Sequence, residues 1–246
     1  MAGVYRTVYW RRRLKIPQPR RVGTALENLK ALPVDAQIPL TLCRFAGSSY
    51  FSNMPSHIPA LEIREEPFTE LQRHITIPNR FETWSVLDIR DANSGFELRE
   101  RRRDPIFRKD YDSIENPLEW PKRFDVSNWS LIGAFDVTGR VGGAICAFDT
   151  PDIDMLEGRS DLAAMWDLRV SPAAQRRGVG SALFRAVEAW ASAKHCKEVK
   201  VETQNVNVAA CRFYAKQGCQ LRQVNYHAYP DLPDEVQLIW RKVISG

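Results

Sequence analysis

The sequence has no run approaching the roughly eighteen consecutive apolar residues that a membrane-spanning helix requires, so no membrane partner is expected. The N-terminus also lacks the apolar core of a secretory signal. Cysteine is scarce and uneven. Cys43, Cys146, Cys196, Cys211 and Cys219 are five in number, and no pair has the two-residue spacing of a zinc or redox motif. They read as reduced thiols in a reducing, cytoplasmic compartment. Histidine is limited to His57, His74, His195 and His227, all outside the strands that carry the motifs below, and no role is expected of them. There is no internal repeat and no low-complexity tract, which sets repeat architectures aside.

What is present is a chain of 246 residues, 44% hydrophobic, enough for one domain with a real core, or one domain plus an appendage. The formal charge is +5. Its source is local: residues 1–26 hold Arg6, Arg11, Arg12, Arg13, Lys15, Arg20 and Arg21 and no acid, so the body of the chain is mildly acidic. Residues 1–59 are therefore expected to form a basic extension and 60–246 the folded domain. The arginine-rich start has the composition of an organelle transit peptide. The reading adopted is a tail, or a start placed too early with Met54 as initiator. A nucleic-acid-binding arm would rest on these residues alone, and no nucleic-acid partner is expected.

From about residue 60 the pattern becomes globular. "LEIRE" alternates like a strand, and "TELQRHI" after Pro67 reads as a short helix. Residues 101–123 are polar, aromatic and interrupted by proline, which predicts a structured loop. "WSLIGAFDV" and "RVGGAICAFD", joined through Thr138-Gly139, predict a hairpin. An acidic loop from Asp149 to Asp161 leads into the strand "AAMWDLRV". Strict alternation there puts Trp166, Leu168 and Val170 on one face and Met165, Asp167 and Arg169 on the other. The acidic loop lacks the spacing and the glycine of an EF-hand, so neither calcium nor any other metal is expected.

The stretch "QRRGVGSALF" follows that strand. Val179, Leu183, Phe184, Val187, Trp190 and Ala191 then recur at helical spacing, giving the order strand, glycine loop, helix. Free backbone N–H groups at a helix start bind phosphate oxygens, and Gly178 and Gly180 let that backbone approach closely. A Walker loop is excluded, since the Gly-Lys-Ser/Thr ending is missing. A Rossmann loop would place a third glycine where Leu183 stands, although "VKVETQ" does supply an acid, Glu202. A plain helix-start turn also fits the spacing.

The loop resembles the Gln/Arg-x-x-Gly-x-Gly/Ala signature of the GNAT superfamily of acetyl-coenzyme A-dependent N-acetyltransferases. "VKVETQNVNVAACRFYAKQGC" is similar to that family's fifth strand and fourth helix, and together with "AYPDLPDEVQLIW" it looks most like the streptothricin acetyltransferase branch. The resemblance is carried by residues 129–240, is thinner over 60–128 and is absent before them. It implies an α/β (α+β) GNAT fold, a mixed and mostly antiparallel sheet splayed between its fourth and fifth strands, with a pantetheine arm in the gap. It implies acetyl-CoA as co-substrate and transfer to an amine of a cationic small molecule, such as a streptothricin-type antibiotic. The alternatives are a protein or peptide N-acetyltransferase and a non-catalytic acyl-CoA-binding module. A monomer or homodimer is expected.

The same resemblance assigns the residues. Main-chain groups of Leu168, Arg169 and Val170 would hold the pantetheine, and Gln175, Arg176, Arg177, Gly178, Val179, Gly180 and Ser181 would surround the pyrophosphate. Asn207 is a helix N-cap, a cofactor contact, or both. Tyr214 would protonate the departing sulfur, since a phenol with a pKa near ~10 keeps its proton at neutral pH. An amine of pKa ~10.4 is less than about 0.1% neutral at pH 7, so a proton must leave it, and Asp167 and Glu202 are the candidates to accept that proton or to steer the cation. The acidic loop would form a rim attracting polycations.

Overall fold

The computed structural model describes residues 61–92 and 95–244. The basic segment 1–59 and the alternative start at Met54 lie outside the described residues. In chain order the elements begin with β1 (Glu62–Glu66), α1 (Leu71–His74), β2 (Arg80–Ala92), β3 (Gly95–Asp110) and α2 (Trp120–Arg123). They continue with β4 (Trp129–Asp136), β5 (Gly139–Phe148), β6 (Leu162–Val170), α3 (Val179–Ala193), β7 (Glu198–Gln204), α4 (Val208–Lys216), β8 (Gln220–Asn225) and β9 (Gln237–Val243).

Seven strands form one sheet in the order β1-β4-β5-β6-β7-β9-β8. Only the β6–β7 pair is parallel, so the sheet is mixed and mostly antiparallel, as the sequence led us to expect. The expected hairpin is β4–β5, and the expected strand and helix near residue 60 are β1 and the turn running into α1. α3 buries Val179, Leu183, Phe184, Val187, Trp190 and Ala191, the whole predicted stripe, against the sheet. The Val, Leu and Phe side chains among them each contribute roughly 1.5–3 kcal/mol of burial. On the other face Trp120, Trp129, Leu71, Ile145 and Met155 form a second cluster with Phe68, Phe124 and Trp166 packed against it.

Two expectations fail, each for an identifiable reason. Residues 101–123 are not a loop throughout: β3 extends to Asp110 and pairs with β2 in a separate two-stranded sheet. Both strands are edges with much of both faces in solvent, so no apolar alternation marks them, and Pro105 sits where the register shifts between Thr83 and Ser85. The strict alternation on β6 also breaks. Cys146 pairs with Met165 and Ile145 with Asp167, leaving Trp166 as the extra residue of a bulge. Met165 consequently packs in the same cluster as Leu168 and Val170, while Trp166 joins the opposite cluster.

The bulge coincides with the end of the β6–β7 ladder, whose last pair is Met165 with Val201. Beyond it β7 continues to pair with β9 through Gln204, while β6 continues to pair with β5 through Val170. The two strands therefore part. Close packing on the β5 side requires glycine: a Cβ on Gly143 would lie 2.5 Å from Nδ1 of His74 and 3.2 Å from the carbonyl oxygen of Ile132. Gly143→Ala should therefore cost about 1–3 kcal/mol of unfolding free energy. Urea unfolding monitored by tryptophan fluorescence measures this, and an unchanged midpoint would show that His74 is not held against this strand.

Candidate functional site

A cleft of about 190 Å³ opens where β6 and β7 part, and Leu168, Asp167, Arg169, Glu202, Asn207 and Tyr214 all line it. The strand β6 offers it a free edge. Ser171 N–H donates to the Val141 carbonyl at 2.9 Å on the β5 side, so by alternation the N–H groups of Leu168 and Val170 point into the gap and that of Arg169 points towards β5. Only Leu168 and Val170, of the three residues expected to offer main-chain groups, thus face the gap.

The glycine loop lies at the end of the same strand. Gly178 is the N-cap of α3, with φ 88°, and no side chain caps the helix. Arg176 also takes a left-handed conformation, with φ 60°. Nothing stands within 4 Å of a Cβ built on Gly178, whereas one on Gly180 would meet the Phe213 ring at 3.2 Å. The first-turn N–H groups of α3 are thus left for a ligand on an exposed surface. Gln175 and Arg176 are exposed, and Gln175 Nε2 reaches the Val170 carbonyl at 3.5 Å. Arg177 lies 3.5 Å from Asp136, Val179 is buried in the core, and Ser181 Oγ accepts from Gln217 at 3.1 Å. Asn207 is an N-cap: its Oδ1 accepts from Ala210 N–H at 3.1 Å, and its Nδ2 approaches the Tyr111 hydroxyl at 3.4 Å.

Tyr214, on α4, is 6% exposed, with its ring against Phe184 and Phe213. Its hydroxyl has no hydrogen-bond partner among the described residues. Burial pushes its pKa upward, with nearby Cys219 and Asp167 adding to the shift, so the phenol is held protonated.

The two carboxylates differ. Asp167 is buried, and its oxygens accept from His74 Nε2 at 3.1 Å, from Arg169 Nε and Nη2 at 2.9 Å each, and from Asn79 Nδ2 at 3.4 Å. Burial would raise its pKa, but the His74 hydrogen bond and charge, with those of Arg169, outweigh this and hold it at about 2. Arg169 also donates to both oxygens of Asp112 and to the Ile77 carbonyl. Glu202 is half-buried at the cleft, accepting from the Tyr229 hydroxyl at 2.6 Å and from Gln237 at 2.7 Å. Beside them the indoles of Trp120 and Trp166 meet edge to face at 6.2 Å and, with Met155 and Met165, form an apolar wall.

Several of these residues escaped the sequence reading. His74, with 0% exposure, was set aside, yet it reaches Asp167 across 93 positions in the chain. Tyr111, Asp112 and Glu115 fall in the stretch expected to be a structured loop, without any role assigned, but line the cleft. The acidic loop is less of a rim than its charge suggested. Ile153, Met155 and Leu156 are buried, Glu157 pairs with Lys200 and Arg241, and Asp161 pairs with Arg159 and Lys197.

Comparison with known proteins settles the family, because the model of the acetyltransferase (GNAT) family matches residues 96–219. The chain belongs to the GNAT acetyltransferase family. It is an acetyl-coenzyme A-dependent acetyltransferase. It is 29% identical to a streptothricin acetyltransferase of Escherichia coli over 165 residues, 66% of this chain and 84% of that protein. It is 30% identical to streptothricin acetyltransferase A of Bacillus subtilis over 92 residues, 34% of this chain and 53% of the relative. The fold is shared with a candidate streptothricin acetyltransferase of Bacillus anthracis solved with acetyl coenzyme A, at TM-score 0.62 and 24% identity, covering 76% of this chain and 99% of that one. It is also shared with a nourseothricin acetyltransferase, at TM-score 0.58 and 20% identity with the same coverage. No helix among the described residues is long and apolar enough to cross a membrane.

The Asp167 shift gives a stability prediction with a definite sign. The folded pKa of about 2 lies below the usual value of 3.8, so the stabilisation is present above pH 4 and is lost as pH falls towards 2. Its size is about 2 kcal/mol. In urea titrations between pH 5 and pH 2, wild type should lose about that much more stability than Asp167→Asn. Parallel losses in the two proteins would refute the assignment.

Proposed function

We propose that the protein acetylates an amine of a cationic small molecule of the streptothricin type. The observation that carries this reading is the charge of the cleft: Asp112, Asp167 and Glu202 line it, and Arg169, the one cation lining it among the described residues, is already shared between Asp167 and Asp112. A concave site of net negative charge raises the local concentration of cations. The relatedness to streptothricin acetyltransferases, at 29% and 30% identity, supports the same acceptor class.

The residues present fit acetyl-CoA. The free edge of β6 would receive the pantetheine amides as an added strand, through the N–H groups of Leu168 and Val170. The uncapped start of α3, from Arg176 to Ser181, would hold the pyrophosphate, with Gln175 and Arg177 beside it and Asn207 at the neighbouring helix start. When bound, the thioester supplies an activated acetyl carbon. Strand amides polarise its carbonyl oxygen. Tyr214 donates its phenolic proton to the departing sulfur. Glu202 accepts, through water, the proton that the acceptor ammonium must lose, while Asp167 anchors Arg169 and shapes the floor. Four buried free thiols, Cys146, Cys196, Cys211 and Cys219, support a reducing cytoplasmic setting.

Two measurements test the reading. An acetyl-CoA consumption screen over streptothricin-type antibiotics, aminoglycosides, polyamines and peptides should give turnover with cationic small molecules and far less with peptides; preference for peptides would overturn the acceptor class. Tyr214→Phe should lower kcat about 10²- to 10⁴-fold with KM for acetyl-CoA nearly unchanged. Full activity in that variant would remove Tyr214 from the chemistry.

A further inference from the structure

This inference rests on Glu202 as the proton acceptor. Glu202 stands one residue past Val201, the last β7 residue paired with β6, so its carboxylate is at the mouth of the gap. Two buried groups hold it, the Tyr229 hydroxyl on Oε1 and the Gln237 amide on Oε2. Gln237 comes from β9, on the side of β7 away from the gap, and Tyr229 from the segment between β8 and β9.

The direction of these hydrogen bonds is fixed by what stands behind them. Asn207, locked as the N-cap of α4, directs Nδ2 at the Tyr111 oxygen, 3.4 Å away. Tyr111 in turn donates to Gln204 Oε1 at 2.5 Å, which orients the Gln204 amide so that its Nε2 donates to the Tyr229 oxygen at 3.0 Å. With its oxygen accepting from Gln204, Tyr229 presents its own hydrogen to Glu202 at 2.6 Å. Four donors thus point the same way, from the start of α4 to the carboxylate, and a chain so aligned polarises each of its bonds. Other charges near Glu202 are balanced. Lys109 on β3 is buried against Glu235, the Tyr111 ring stacks over that ammonium at 5.2 Å, and Lys200, on the same face of β7, is paired with Glu157 at 2.7 Å.

We infer that Tyr229 is a positioning residue for acetyl transfer, holding the Glu202 carboxylate ionised and in place at the mouth of the gap. Glu202 takes one proton from the acceptor ammonium through water and later returns it to solvent. The amine nitrogen then bonds to the acetyl carbon as the carbon–sulfur bond breaks, and the nitrogen's second departing proton replaces the one that Tyr214 gives to sulfur. Tyr229 keeps its own proton throughout.

The test reads the carboxylate directly and needs no acceptor. In protein labelled with ¹³C at the glutamate carboxyl, the Glu202 resonance is identified by its loss in Glu202→Gln, and its titration is followed by NMR in wild type and in Tyr229→Phe. Losing a donor to the ionised form should raise the midpoint by about one pH unit. Tyr111→Phe, which frees the Gln204 amide to turn, should shift it in the same direction by less, and serves if Tyr229→Phe folds poorly. With a cationic acceptor, the acidic limb of kcat/KM should move up with the midpoint, a roughly tenfold loss below it, while KM for acetyl-CoA stays constant. An unmoved Glu202 titration in the folded variants overturns the inference, and a moved titration with an unmoved acidic limb overturns its link to the reaction. Absence of turnover with any amine in wild type would instead count against the proposed acceptor, leaving the titration to decide the role of Tyr229.

Discussion

The site depends on one strand losing one of its two partners part-way along its length. β6 carries an extra residue, Trp166, at the point where its ladder with β7 ends. A bulge bends its strand and increases local twist, and here the β6–β7 ladder ends at it while each strand keeps its outer neighbour. The backbone groups freed on Leu168 and Val170 cannot stay buried without partners. A ligand amide lying along the edge, as proposed for acetyl-CoA, would satisfy them. Trp166, displaced to the other face, fills the aromatic cluster with Trp120, Trp129 and Phe124, so the irregularity is anchored by packing.

The second constraint is electrostatic. Arg169 is 3% exposed, and a buried guanidinium is tolerated only where carboxylates and carbonyls satisfy it. Asp167, Asp112 and the Ile77 carbonyl do so. His74 completes the shell around Asp167, and Gly143 leaves the space that His74 fills. This unit ties α1, the segment after β3 and two sheet strands together beneath the cleft. It also distinguishes the two carboxylates: Asp167 is committed to holding charge in place, whereas Glu202 stands at the cleft outside this unit, as the proposed proton acceptor requires.

The parts legible in the sequence are those encoded locally. The α3 stripe and the β4–β5 hairpin each depend on residues within a turn or two of one another, so spacing alone reveals them, whereas spacing leaves the glycine loop and Asn207 open and the loop takes its meaning from the family resemblance. The bulge was not legible, because alternation on either side of Trp166 is regular and only the register with β5 shows the extra residue. β3 was missed because its arginines face solvent on both sides and answer acids far away, as Arg103 does with Asp234 and Arg101 with Asp88. His74, Tyr111 and Tyr229 acquire meaning only through partners distant in the chain, and a single sequence carries no sign of those pairings.

The most direct measurement of the central claim is amide hydrogen exchange with and without acetyl-CoA. If the free edge of β6 and the uncapped start of α3 receive it, protection should rise at Leu168 and Val170 and across Arg176–Ser181, with Arg169, already facing β5, changing little. Binding that leaves the Leu168, Val170 and loop amides unprotected would contradict a cleft built on the parting of β6 and β7.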